Sequence, residues 1–138
     1  MILDKKICKK IEYHLYNHAE HNEELQLEIE DIIYGVQSGY QEGSRSNETS
    51  NKTEKSALKL VEKEQDEKTK WVSVVNSVIE KFKGTEYEDI IQYTYKDQFK
   101  LQKILRLVNL RENAYYDRKN DIIMYAALKA VEKGLIKI

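Results

Sequence analysis

The sequence predicts an all-α protein, and three observations carry this prediction. The 138 residues contain no proline and only five glycines, so few positions can interrupt a helix. Apolar residues recur at three- and four-residue spacing through most of the chain. Charged residues make up 34% of the sequence and interleave both signs between the apolar positions, as on solvated helix faces. We therefore expect long helices in one domain, or in a small domain with an extension.

The first helix is predicted from about Lys6 to Ile33. Its apolar positions alternate between four- and three-residue spacing, which is the seam of a coiled coil, and His18 and Asn22 fill the two middle positions. The apolar positions are Ile11, Leu15, Leu25, Ile29 and Ile32. A segment rich in Gly, Ser and Asn follows at 34–52 and predicts an exposed loop.

The second long helix is predicted from about Lys52 to Lys83, with Thr49 or Ser50 as its cap and Gly84 as its end. Its seam has the same spacing and is interrupted at Glu64 and Lys68. The seam residues are Ala57, Val61, Trp71, Val75, Val78 and Phe82.

Each long helix thus has a seam that is apolar at both ends and polar in the middle. If the helices pack antiparallel within one chain, the polar centres meet, with Asn22 near Lys68 and His18 near Trp71. Pairing between two chains, giving a homodimer through the long helices, is the alternative that the sequence leaves open. Residues 1–83 are therefore expected to form a long two-helix body.

Residues 85–138 are predicted to form a second, three-helix module. A short helix begins near Thr85, and an apolar helix follows from about Phe99 to Val108. A tight turn of Asn109, Leu110 and Arg111 then leads to a last helix that begins near Glu112. That last helix is polar and basic in its first half and apolar in its second half. This division is what a DNA-reading helix-turn-helix requires.

The charge distribution favours the same interpretation. From residue 96 to the end we count ten Lys and Arg against five acids, whereas the preceding residues carry 13 bases and 19 acids. A basic module on an acidic body fits a nucleic-acid contact at one end of the molecule. The residues expected to contact bases or phosphates are Lys100, Lys103, Arg111, Asn113, Tyr115, Tyr116, Arg118, Lys119 and Asn120.

Other classes of function find little support in the sequence. There is no glycine-rich phosphate loop and no nucleophile beside a base, so we expect neither an enzyme nor a cofactor. The spacing of His14, His18 and His21 could chelate zinc, but no second ligand cluster is present and a structural role is favoured. The single cysteine, Cys8, and the lack of a signal peptide or membrane span favour a cytoplasmic location.

The order of these segments resembles the small phage and prophage late-transcription regulators of the RinA and ArpU type. The resemblance is most specific from Asp89 to Ile136. It rests on Ile90, Ile91, Tyr95, Ile104, Val108, Leu110, Tyr115, Tyr116, Ala127, Gly134, Leu135 and Ile136. The chain departs from the family's pattern at Arg111, Ala114 and Asp117, where Ser, Thr and Arg are common.

This resemblance implies a module similar to the DNA-binding region of sigma factors. It also implies an activator of a phage late operon that binds duplex DNA and touches RNA polymerase in a bacterial host cell. Two alternatives remain at this point. The long helices could serve a protein-binding adaptor, or the chain could be a DNA-packaging component like a small terminase subunit.

Overall fold

The computed structural model of the protein describes residues 3–38 and 46–137, with side chains placed outside 35–53. These ranges contain seven α-helices and one π-helical turn, and no β-strand. Within them, no helix is both long and apolar enough to cross a membrane. The helices are α1 (Lys5–Tyr16), α2 (His18–Ser38), α3 (Ser46–Gln65), α4 (Glu67–Phe82), α5 (Glu86–Ile91), α6 (Leu101–Val108) and α7 (Glu112–Glu132), and the π-helical turn is Gln92–Lys96.

The first predicted helix is divided at Asn17, which has φ −102° and ψ 12°. Its side-chain amide donates to the Tyr13 carbonyl oxygen at 2.8 Å, and its backbone N–H donates to the same oxygen at 3.1 Å. An asparagine side chain that competes for a backbone partner in this way weakens helix continuity. The heptad spacing continues through Asn17, so it gave no sign of this break.

The second predicted helix is divided at Asp66, whose backbone is extended at φ −64° and ψ 138°. Its carboxylate accepts from the Lys68 N–H at 3.1 Å and caps α4, while the same side chain pairs with Lys63 at 3.0 Å. α3 already begins at Ser46, so the expected caps Thr49 and Ser50 lie inside it. The predicted loop at 34–52 is wrong at both ends, because residues 34–38 belong to α2 and residues 46–52 belong to α3. Residues 39–45 of that loop lie outside the described residues.

The core forms around α4, which packs on α1, α5 and α7. One continuous cluster of buried residues extends from Ile11 in α1 to Ala130 in α7, and it includes residues both before and after Gly84. The seam residues of α4 and the buried residues in the second half of α7 belong to this cluster, whereas Val131 of α7 is 40% exposed. Its most completely buried members, each at most 1% exposed, are Ile11, Val74, Val78, Ile90, Ile122, Ala126, Ala127 and Ala130.

The helices α2 and α3 run antiparallel, and α2 is held by two lysines, Lys63 of α3 and Lys68 in the first turn of α4. Lys63 pairs with Glu28, and Lys68 pairs with Glu24 and also lies 3.5 Å from Glu28. We call residues 20–34 of α2 and 54–65 of α3 the arm. His18 was expected to lie near Trp71. The imidazole that stacks on Trp71, near the base of the arm, is that of His14, one turn earlier in the chain, and the His14 and Trp71 ring centroids are 4.1 Å apart.

Candidate nucleic-acid interface

The short helix α5 and the π-helical turn position the last two helices. Thr85 caps α5 by accepting from the Tyr87 N–H at 3.2 Å. Gln98, two residues after the π-helical turn, lies in the left-handed region at φ 53°, and the Phe99 N–H donates to the Tyr93 carbonyl oxygen at 3.0 Å. The sequence predicted that a short helix begins near Thr85 but gave no sign of the π-helical turn.

The helices α6 and α7 are joined by the three residues expected to form the turn. α6 begins at Leu101, two residues later than predicted, and is anchored by buried Ile104. Asn109 ends α6 in the left-handed conformation at φ 54°, with its N–H bonded to the Leu105 carbonyl oxygen. Arg111 then stands at the N-cap position of α7, and its side chain makes no capping hydrogen bond.

The first half of α7 presents a stripe of polar side chains to solvent. Asn113, Tyr116 and Asn120 are exposed and recur at three- and four-residue spacing, so they share one helix face. The Tyr116 side chain is 41% exposed. We call these three residues, together with exposed Asp117, the polar stripe of α7.

Tyr115 lies on the opposite, buried side of α7. Its residue surface is 3% exposed, and its hydroxyl forms a 2.8 Å hydrogen bond with the hydroxyl of buried Thr94. Tyr115 was expected to contact DNA, but this burial gives it a role in packing α7 on the π-helical turn. Of the tyrosine pair, Tyr116 is therefore the member on the surface.

Two of the expected DNA contacts are engaged in ion pairs inside the molecule. The Arg118 Nε lies 2.9 Å from Glu86 of α5, and the Lys119 Nζ lies 3.0 Å from Glu12 of α1. Burial lowers the pKa of the Lys119 ammonium, but the pair with Glu12 outweighs it, so the pKa is raised overall. The side chain of Lys119 is only 17% exposed. Both cations therefore fasten α7 to other helices in this structure.

The exposed cations lie instead on α6 and in the turn. Lys100, Lys103, Arg106 and Arg111 are all exposed, and among the described residues none of them forms an ion pair. The Lys103 ammonium lies 3.8 Å from the centre of the Phe99 ring. We call these four residues the basic cluster. Their charge is available to a phosphate, because no carboxylate in the described part of the chain forms an ion pair with it.

The basic cluster adjoins a surface of α7 that carries acids as well as amides. Glu112, Asp117 and Asp121 are exposed along the first half of that helix. The Asp121 carboxylate accepts a 2.8 Å hydrogen bond from the Tyr87 hydroxyl, which helps to hold α5 against α7. Positive charge is therefore concentrated on α6 and the turn, whereas α7 offers mainly hydrogen-bonding groups.

Glu12 and Glu86 are the residues that reasoning from the sequence missed. Each lies on a different helix from the cation it pairs with, and each sits among ordinary surface charges in the sequence. Glu12 also accepts a 3.3 Å hydrogen bond from the hydroxyl of buried Tyr95. Only the packing of α1 and α5 against α7 brings these carboxylates to Arg118 and Lys119.

The three histidines gather near the base of the arm. His14 and His21 lie 5.7 Å apart, and the parallel ring of Trp71 covers His14. Burial, together with the nearby His21 and Lys10, lowers the pKa of His14 from 6.5 to about 4. Within the described residues, no group of three His, Cys, Asp or Glu is arranged to hold a metal ion.

Comparison of the chain with protein-family models, curated proteins and solved structures finds no match.

Proposed function

We propose that this protein is a sequence-specific regulator of transcription that binds duplex DNA through α6, the turn and α7. One observation carries the proposal: the polar stripe of α7 follows directly on α6 and the turn, which have four exposed cations without an ion pair among the described residues. A helix of this kind places its first turns in the major groove while neighbouring cations hold the phosphates.

The basic cluster supplies the general affinity in this proposal. Each cation that neutralises a phosphate releases bound counterions, which makes the affinity fall steeply as salt rises. Lys100 is the N-cap residue of α6, Lys103 lies on α6, and Arg111 is the N-cap residue of α7, so the cluster could follow the DNA backbone beside the groove. Arg118 and Lys119 take no part, because Glu86 and Glu12 hold them.

The polar stripe supplies the sequence preference. The amides of Asn113 and Asn120 have the donor and acceptor that pair with adenine in the major groove, and the Tyr116 hydroxyl can reach a phosphate. Asp117 would repel a phosphate but can accept a hydrogen bond from cytosine. Activation of a phage late operon and contact with RNA polymerase are parts of the proposal that come from the family resemblance.

Selection from a random duplex library tests the proposal directly. The full chain is expected to enrich one short sequence at about 50–100 mM salt, where specific binding survives. Asn113→Ala/Asn120→Ala should lose the enriched sequence while it keeps weak general binding. The control Lys55→Ala/Lys59→Ala, on the arm, should select the same sequence as the wild type. Recovery of no common sequence by the wild-type chain would contradict the proposal.

A further inference from the structure

The arm has an apolar side that nothing in the described structure covers. Ile33, Leu58 and Val61 are 44%, 62% and 55% exposed, and Ala57 is exposed beside them. Val61 and Ala57 are seam positions by their spacing, yet the seam residues of α4 are buried and these are not. A helix pair usually buries such residues against another element.

The ion pairs of the arm show where this apolar side lies. Glu28 and Lys63 mark one side of the helix pair. At about 100° per residue, Ile33 is rotated roughly 140° from Glu28, and Val61 is rotated roughly 160° from Lys63. Both rotations have the same sense when each helix is followed from its N-terminus. Because the two helices are antiparallel, Ile33 and Val61 therefore lie on the same side of the helix pair. Ile29 and Ala57 follow at roughly 100° and 120°.

Among the described side chains, the exposed charges around this apolar side all have one sign. Glu30 and Glu54 lie at its edges, at roughly 200° from Glu28 and 180° from Lys63, and Glu64 lies at its end next to α4. The lysines of α3, Lys55 and Lys59, lie within about 80° of Lys63 and therefore on the ion-paired side. An acidic edge around an apolar centre attracts a basic partner and repels an acidic one.

We propose that the apolar side of the arm binds an amphipathic helix of another protein, whose apolar stripe is flanked by lysine or arginine. The apolar stripe would pack between α2 and α3 on Ile33 and Val61, and its flanking cations would meet the glutamates at the edges. This is the helix-in-groove mode of recognition. A second copy of the chain fits less well, because it would bring acidic edges against acidic edges. The proposal is independent of DNA binding by α6 and α7.

Binding of two synthetic helices by the full chain tests the proposal. The probes are fluorescent 18-residue amphipathic peptides, one of leucine and lysine and the other of leucine and glutamate. The lysine peptide should bind and the glutamate peptide should not. Val61→Asp should weaken binding of the lysine peptide at least about tenfold, which is a loss of about 1.4 kcal/mol.

Leu27→Asp is the matched control for this experiment. Leu27 is 54% exposed on the same arm, but it is rotated from Glu28 in the opposite sense. Leu27→Asp adds the same negative charge as Val61→Asp, but on another side of the arm. The affinity of this variant for the lysine peptide should therefore stay within about twofold of the wild type. Equal affinities of Val61→Asp and Leu27→Asp would overturn the proposal, because general charge attraction would then explain the binding.

The mass in solution gives a second readout. The wild-type chain should sediment as a monomer of 16.3 kDa. A mass of twice this value that returns to the monomer in Val61→Asp would also overturn the proposal, because a second copy would then cover the apolar side. Both variants change exposed residues, so their thermal unfolding should match that of the wild type and show that neither has lost its fold.

Discussion

Protonation of His14 should destabilise the protein as the pH falls. Its imidazole is stacked on Trp71 and lies 5.7 Å from His21, and its folded-state pKa is lowered from 6.5 to about 4. Between these values the unfolded chain binds the proton and the folded chain does not. The stabilisation is therefore complete above pH 6.5 and is lost as the pH falls toward 4.

The size of this effect follows from the change in pKa. A change from 6.5 to about 4 corresponds to at most about 3.4 kcal/mol, at about 1.4 kcal/mol for each pKa unit. The His14 ring is only half-buried, so solvent screening reduces the expected loss to about 1–2 kcal/mol. Urea unfolding at pH 7 and pH 4.5 measures this loss as a change in the free energy of unfolding.

Substitution of His14 separates its contribution to the pH dependence of stability from the contribution of the carboxylates, which also titrate in this range. His14→Phe keeps an aromatic ring on Trp71, and His14 Nδ1 has no hydrogen-bond partner among the described residues to lose. The variant should lose about 1–2 kcal/mol less than the wild type between the two pH values. Tyr13→Phe changes another ring beside His14 and should lose as much free energy of unfolding between pH 7 and pH 4.5 as the wild type. The reasoning would be refuted if His14→Phe and the wild type lost the same free energy of unfolding between pH 7 and pH 4.5.

Three further substitutions test the packing of α7 and the break between α3 and α4. Glu12→Gln releases Lys119 from its ion pair and should raise the affinity for duplex DNA about threefold at low salt, measured by fluorescence anisotropy; an unchanged affinity would contradict this. Asp66→Ala removes the cap of α4 and should cost about 1 kcal/mol in urea unfolding, so an unaltered midpoint would count against the cap. Thr94→Val leaves the buried Tyr115 hydroxyl unpaired and should cost about 1–3 kcal/mol. Adding Tyr115→Phe should recover part of that loss, and no recovery would argue against the hydrogen bond.

Local sequence signals predicted the helices of the C-terminal part well. Thr85 caps α5, Asn109 ends α6, and α7 begins at Glu112, because capping and turn residues act on the few residues around them. The all-α class followed from the absence of proline and from the apolar spacing. These signals depend only on residues that are close together in the chain, so they can be read from the sequence alone.

The features that the sequence did not reveal are of two kinds, local breaks within the long helices and contacts between residues far apart in the chain. The breaks at Asn17 and Asp66 are local: the Asn17 amide donates to the Tyr13 carbonyl oxygen, and the Asp66 carboxylate accepts from the Lys68 N–H. The spacing of apolar residues does not register such hydrogen bonds. Burial of Tyr115 depends on Thr94, and the pair of Lys119 with Glu12 depends on how α1 packs on α7. Spacing alone places a residue on a helix face, but it does not say which helix covers that face.

The salt dependence of binding to a duplex DNA tests the central claim most directly. The claim is that the basic cluster contacts phosphates. Lys100→Ala/Lys103→Ala should reduce the slope of log affinity against log salt by about 1.8, which is about 0.9 for each lost phosphate contact. Lys55→Ala/Lys59→Ala removes the same charge from the arm and should keep the wild-type slope. Equal slopes for the two double variants would contradict the claim.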